Sequence, residues 1–190
     1  DYHIPLKGHP KYLGLIANPI NIELLKFTPL KVKEKVIIFH GINRENYYKK
    51  GSDYFEEALE IIQNKFQNKV EIKIVESLPY NEYIKTYNEA HIVLDQVLAY
   101  DQGYNALEAM SKGKVVFTGA EKEFYEYYNL KKTVAINALP DAQKIADSLE
   151  ELIINPDKII EIGKNAREFI QKEHHYKTIA QKYLDTWNSN

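Results

Sequence analysis

Between Asp95 and Gly119 the chain reads DQVLAYDQGYNALEAMSKGKVVFTG. A glycine-bearing loop enters a short helical stretch that carries Glu108, and Lys112-Gly113 then turns the chain into an apolar strand. A loop feeding a helix N-terminus presents unpaired backbone N–H groups, here at Gly103, Tyr104 and Asn105, and these suit a bound anion such as a phosphate. Glu108 offers a carboxylate that accepts two hydrogen bonds, the chemistry that matches a cis-diol. A second group, His40-Gly41-Ile42-Asn43-Arg44 with Lys49-Lys50-Gly51, follows an earlier apolar run. Arg44 is suited to grip phosphate oxygens bidentately, Lys50 supplies a mobile point charge, and Gly41 lets backbone approach closely. Read alone, Arg44, Lys49 and Lys50 fit a solvated loop and helix start equally well, and Glu108 a solvated helix residue. Cations at a helix N-terminus oppose its dipole, however, and an anionic ligand gives them a reason to be there. Ser77-Leu78-Pro79-Tyr80 is a third segment, with the composition of an ordinary strand-to-helix turn.

These residues need a frame, and the hydrophobic pattern supplies one. Val36–His40, Val70–Val75, His91–Asp95, Lys114–Thr118 and Val134–Ile136 read as strands, the first ended by Gly41. Helical periods run over Ser52–Phe66, Asn81–Asn88, Tyr104–Ser111, Glu121–Tyr128, Asp141–Ile154, Pro156–Glu173 and Tyr176–Trp187. Ser52 or Asp53 is the expected cap of the first helix, Asn81 of the second, and Pro156 opens another at N1. Alternation of buried-type strands with helices predicts an α/β fold, a doubly wound, mainly parallel sheet with helices on both faces. In such sheets ligands sit at the carboxyl ends of the strands, where all three segments fall.

The 190 residues fit about one domain. A net charge of −2 provides no basic surplus for nucleic acid. The chain has no cysteine, which excludes disulfides, cysteine-ligated zinc and thiol catalysis. No apolar run approaches transmembrane length, so membrane association is not visible in this chain. A P-loop, a zinc motif, a Ser-His-Asp pattern and a strict G-x-G-x-x-G are all absent. Adjacent His174 and His175 read as a surface helix end, with no carboxylate cluster around them to make a metal site.

Gly103, Leu107-Glu108-Ala109-Met110 and Gly113 keep the order and spacing of the donor-nucleotide site in GT-B glycosyltransferases. The chain thereby resembles the C-terminal donor-binding domain, the Rossmann-like half, of the retaining group 1 (family 4) enzymes over about residues 14–187. The resemblance implies a nucleoside-diphosphate-sugar donor, transfer to an acceptor hydroxyl with retention, and neither cofactor nor essential metal. By residue it implies that Arg44, Lys50, Gly41, Gly103, Tyr104 and Asn105 hold the diphosphate and that Glu108 holds the ribose. Ser77 and Leu78 fall in the region of the family's nucleobase pocket. The family's Glu-x7-Glu lacks its first member here, because position 100 is Tyr100; Asp95-Gln96 and Asp101-Gln102 are then the candidates for contacts to the sugar. The implied organisation is an extended lead-in from a preceding domain over 1–35, a nucleotide-sugar-binding domain over 36–173, and a C-terminal helix over 174–190 directed back toward that domain. Because the chain opens at Asp1 rather than Met, it is expected to be part of a longer protein whose N-terminal half binds the acceptor. The expected location is cytoplasmic, with the inner face of the membrane reached through that half. Two other readings stay open: a nucleotide-sugar epimerase on the same fold, and a non-catalytic α/β interaction domain.

Overall fold

The computed structural model describes residues 4–189; residues 1–3 and Asn190, the outer ends of the lead-in and of the C-terminal segment, lie outside the described residues. Five strands among them form one parallel sheet: β1 (Val36–Ile42), β2 (Val70–Glu76), β3 (Ile92–Leu94), β4 (Val115–Thr118) and β5 (Ile136–Asn137), in the order β2-β1-β3-β4-β5. The helices are α1 (Tyr47–Lys50), α2 (Ser52–Phe66), α3 (Tyr80–Glu89), α4 (Tyr104–Ser111), α5 (Lys122–Tyr127), α6 (Ala142–Ile154), α7 (Pro156–Glu173) and α8 (Tyr176–Asn188).

Strand residues alternate between two apolar layers, as the two-residue period of a pleated sheet requires. Ile38, Ile92, Leu94, Val115 and Phe117 face α2 and α6, where Phe55, Leu59, Ile62, Ile145 and Leu149 complete the layer. Phe39, Val93 and Val116 face the opposite way, against Tyr87, Leu107, Met110, Phe124 and Phe169 from α3, α4, α5 and α7. The doubly wound α/β arrangement is therefore the observed one.

Several local expectations are corrected. Ser52 is the first residue of α2 and Gly51, at φ 68°, is its N-cap without a side-chain bond. Asn81 lies inside α3, which Pro79 opens. Lys49 and Lys50 form the last turn of the short helix α1 and, as expected, lie just ahead of a helix start, since Gly51 is both the C-cap of α1 and the N-cap of α2. Their charges agree with the dipole of α1 and oppose that of α2, so the two dipole effects offset each other at this junction. The lead-in does have little regular structure, but it is tied down. Ile20 bridges His175, Leu30 joins the α2–α6 layer, and Arg167 donates to the carbonyls of Ile22, Leu25 and Ser111. His174 is buried against Phe169 and Tyr128 rather than lying on the surface, with its Nδ1 2.9 Å from the Asn18 carbonyl. Among the described residues no helix is long and apolar enough to cross a membrane.

Burial sets a pH dependence. His40, His91 and His174 are all buried, and desolvation pushes each imidazole below its ordinary range. The folded chain therefore holds fewer protons than the unfolded one between those lowered values and the unperturbed value near ~6.5. Stability rises with pH in that window, so it is expected to fall as pH drops below ~6.5, by at most about 1.4 kcal/mol per pH unit for each histidine; burial also lowers the Lys114 ammonium to about 8, which adds a separate rise with pH on the alkaline side. Urea unfolding at pH 7.5, 6.5 and 5.5 checks this. Equal stability at all three would contradict it, since the lowered carboxylates Glu23, Glu76, Glu89 and Asp141 begin to titrate only at more acid pH.

Candidate functional site at the carboxyl edge of the sheet

The chain leaves β1 for β2 on one side and returns to β3 on the other. This reversal opens a crevice between the carboxyl ends of β1 and β3, the position at which doubly wound sheets bind ligands. His40 pairs with Leu94 across it. Asp95, the residue after β3, has a fully buried carboxylate at the centre of the cluster. Lys50 Nζ lies 3.1 Å from its Oδ1 and Asn105 Nδ2 donates to the same oxygen at 2.9 Å. Thr118 Oγ1, at the end of β4, is 3.5 Å from Oδ2. A buried carboxylate needs such partners, because an unpaired charge out of water is costly. Asn105 is itself oriented: its Oδ1 accepts from Tyr83 and its backbone carbonyl from Tyr87. Its amide nitrogen is thereby left to face Asp95.

The local fold explains how Lys50 arrives there. Gly51 in the left-handed conformation ends α1 by donating to the carbonyls of Tyr47 and Tyr48, and the Lys50 carbonyl accepts from Val97 N at 2.7 Å. A Cβ on Gly51 would meet Val97 at 2.8 Å, so this position needs glycine for both its φ and its crowding. Gly41 also has an internal reason, since an added Cβ would lie 2.9 Å from the Tyr83 ring. Gly103 differs. It is the N-cap of α4 with an ordinary φ of −77°, makes no side-chain cap bond, and a Cβ there would meet nothing within 4 Å. A side chain at the N-cap of α4 would therefore point into free space, at the edge that carries Lys50.

His40 is wholly buried, with Nδ1 3.1 Å from the Leu94 carbonyl and its ring edge-on to Phe55. Since a carbonyl only accepts, Nδ1 carries the proton, and the neutral ring leaves Nε2 as a lone pair without a partner among the described residues. This imidazole pins the end of β1 to the end of β3, immediately before Asp95.

Arg44 follows β1 and pairs side-on with Glu76 at the end of β2, through Nε to Oε1 and Nη2 to Oε2, both at 2.7 Å. The guanidinium holds the Glu76 carboxyl below the usual carboxylate range. Glu108 is exposed one turn into α4. Ser77, in the left-handed region at φ 52°, and Leu78 form an exposed turn after β2. Gln96 is half-buried and donates to the Asp101 carbonyl at 2.9 Å, whereas Gln102 is buried and donates to the Gly119 carbonyl. Asp101, Tyr104 and Tyr100 are exposed, Tyr100 by 63%. The structure thus gathers Lys50, Asp95, Asn105 and the α4 N-terminus into one cluster, while Arg44, on the same carboxyl edge, is turned toward Glu76 at the end of β2. Sequence reasoning included His40 in a candidate segment without giving it a role, and missed Thr118 and Glu76; the polar end of an otherwise apolar strand was the available signal for His40 and Thr118. A cavity lined by Thr133, Ile136, Ser148 and Glu161 lies beside β5 and shares no residue with this cluster.

A family model described as glycosyl transferase-like matches residues 37–185. No curated protein matches significantly. Among solved structures, sucrose-phosphate synthase from Thermosynechococcus elongatus superposes with a TM-score of 0.66 at 18% identity, over 93% of this chain and 52% of that one. Anabaena Alr3699/HepE, in complex with UDP-glucose, gives 0.66 at 17% identity over 92% and 57%. The C-terminal domain of a group 1 family glycosyl transferase, LpcC from Francisella tularensis, gives 0.60 at 17% over 82% and 98%. The chain thus spans about half the length of the first two and nearly all of the isolated domain. At these identities the likeness establishes a shared fold.

Proposed function

The chain belongs to the glycosyl transferase-like family, and on that premise we propose that it binds the nucleoside-diphosphate-sugar donor of a two-domain enzyme that moves the sugar to an acceptor hydroxyl, with retention. The observation that carries the proposal is the uncapped N-terminus of α4. Gly103 has neither a conformational nor a packing need to be glycine, and as the N-cap of α4 it leaves the helix without a side-chain cap. A helix N-terminus without a side-chain cap, next to Lys50 and on the same sheet edge as Arg44, suits a diphosphate. The chemistry of UDP-glucose, bound by the Anabaena relative, fits the same set of groups.

In this reading the amides of Gly103, Tyr104 and Asn105 meet the diphosphate oxygens together with Arg44 and Lys50. Their charges and dipoles stabilise the diphosphate as it leaves the sugar, when its negative charge grows. Glu108 accepts from the ribose hydroxyls, and the Ser77–Leu78 turn borders the base. Asp101 and Gln96 stand where sugar hydroxyls would reach them. Asp95 and Gln102 act from behind, the first by fixing Lys50 and Asn105, the second by tying the loop to Gly119. The acceptor is assigned to a second domain, because transfer needs both reactants held in near-attack geometry.

Glu108→Gln tests the ribose assignment, since it keeps shape but loses charge-assisted acceptance. Affinity for an intact nucleoside diphosphate is expected to fall by about 1.5 kcal/mol, the lower end for a hydrogen bond to a charged group. Affinity for the 2′,3′-dideoxy analogue is expected to stay within error. Equal losses for both ligands in calorimetry would remove Glu108 from the site.

A further inference from the structure

Arg44 is exposed, and a long exposed side chain ordinarily samples many rotamers, whose loss is charged against binding. Here it is held from two sides. Glu76 takes Nε and Nη2, both at 2.7 Å. The Tyr47 ring lies 5.0 Å from the guanidinium carbon, in cation–π range, and the Tyr47 hydroxyl is in turn held by Glu56 from α2. The side-on pairing engages one edge of the guanidinium and leaves Nη1, with its two N–H donors, outside the ion pair. Arginine is able to grip a second oxyanion end-on without releasing the first, because its five donors lie in a fixed planar fork.

We infer that Glu76 and Tyr47, the latter braced by Glu56, are positioning residues that hold Arg44 with its Nη1 end free for a phosphate of the nucleotide. None of the three needs to touch the ligand. Glu76 lies on the last residue of β2, Arg44 just after β1 and Glu56 on α2, so the clamp fixes Arg44 to the rigid frame of the sheet. Glu76 has a second consequence: as a neighbouring carboxylate it repels the ligand's anionic charge, so the clamp acts only if the gain from ordering Arg44 exceeds that repulsion. Solvent screens the repulsion from the exposed Glu76, and the two-bond, side-on pairing is the geometry in which an exposed ion pair still holds its partner in place.

The inference rests on the diphosphate reading of Arg44, and a double-mutant cycle separates the two. UDP is titrated calorimetrically into the chain and into Glu76→Gln, Arg44→Ala and the double variant, with Tyr47→Leu as an independent second variant. Glu76→Gln is expected to weaken UDP binding by roughly three- to tenfold, the scale of immobilising one rotamer-rich side chain. Tyr47→Leu is expected to act in the same direction. The Glu76→Gln effect is expected to vanish in the Arg44→Ala background, where a merely structural role would persist. The Tm of Glu76→Gln is expected to be unchanged. If Arg44→Ala weakens UDP binding while Glu76→Gln leaves it unchanged or tightens it, Glu76 competes with the ligand and the inference is overturned while the donor-site reading stands. If Arg44→Ala itself has no effect, the role of Arg44 in that reading fails and the inference fails with it.

Discussion

Lys50→Ala is expected to cost about 3 kcal/mol of folding stability before any ligand is considered, because removing one partner strands a buried charge. Asp95 is fully buried at its side chain and Lys50 supplies its countercharge at 3.1 Å. The expected loss sits at the lower end of the range for a broken buried pair, since Lys50 is partly exposed and Asn105 continues to donate to the carboxylate. The double variant Lys50→Met with Asp95→Asn, which removes both charges, is expected to recover most of the loss. Urea unfolding of the three proteins checks this, and a loss below about 1 kcal/mol in Lys50→Ala would show that the pair is solvent-screened. The result bears on function as well as on folding. A ligand phosphate cannot draw Lys50 away from Asp95 at small cost, so Lys50 must meet it with the ammonium protons it has left. Arg44 faces no such conflict.

Gly119→Ala is expected to destabilise the chain by about 2 kcal/mol, as overpacking does when the obstructing atoms cannot swing aside. An added Cβ would lie 2.1 Å from the Ala99 carbonyl oxygen and 2.7 Å from backbone carbons of Ala99 and Tyr100. All three are backbone atoms, so the loop 96–102 has to move as a unit and release the bond from Gln102 to the Gly119 carbonyl. That loop carries Asp101 and leads into Gly103. Affinity for a nucleotide-sugar is therefore expected to fall along with stability. Unfolding within 0.5 kcal/mol of the parent, the scatter of an ordinary surface change, would mean that β4 and the loop are not in the close contact described.

Most of the frame was legible in the sequence because it rests on periodic burial. Ile38 and Phe39, or Val115, Val116 and Phe117, are runs whose alternate members must face opposite layers, and both layers are found. Asp141 at the start of α6 and Pro156 at N1 of α7 were legible as local signals, and the Asp141 carboxylate does accept from Lys144 N. The four residues of α1 carry no period, so its presence, and with it the placing of Lys50 at a helix end, was not legible. The partners of the functional side chains were hidden for a different reason. Lys50 meets Asp95, Arg44 meets Glu76 and Gln102 meets Gly119 only because strands distant in sequence are neighbours in the sheet. Gly41, Gly103 and Gly119 look alike in the sequence, yet one makes room for Tyr83, one faces open space and one abuts Ala99. The adjacent histidines 174 and 175 looked like a surface helix end until the lead-in was seen to cover the first of them.

The central claim, that the carboxyl edge of this sheet binds a nucleoside diphosphate through Arg44 and the N-terminus of α4, is tested most directly by calorimetric titration of UDP, GDP and ADP into the chain and into Arg44→Ala. At least one of the three is expected to bind with a stoichiometry of about one, and Arg44→Ala is expected to weaken that binding by roughly tenfold or more, the effect of losing a hydrogen bond from a charged group. Absence of binding by all three, or binding that Arg44→Ala leaves unchanged, would contradict the account.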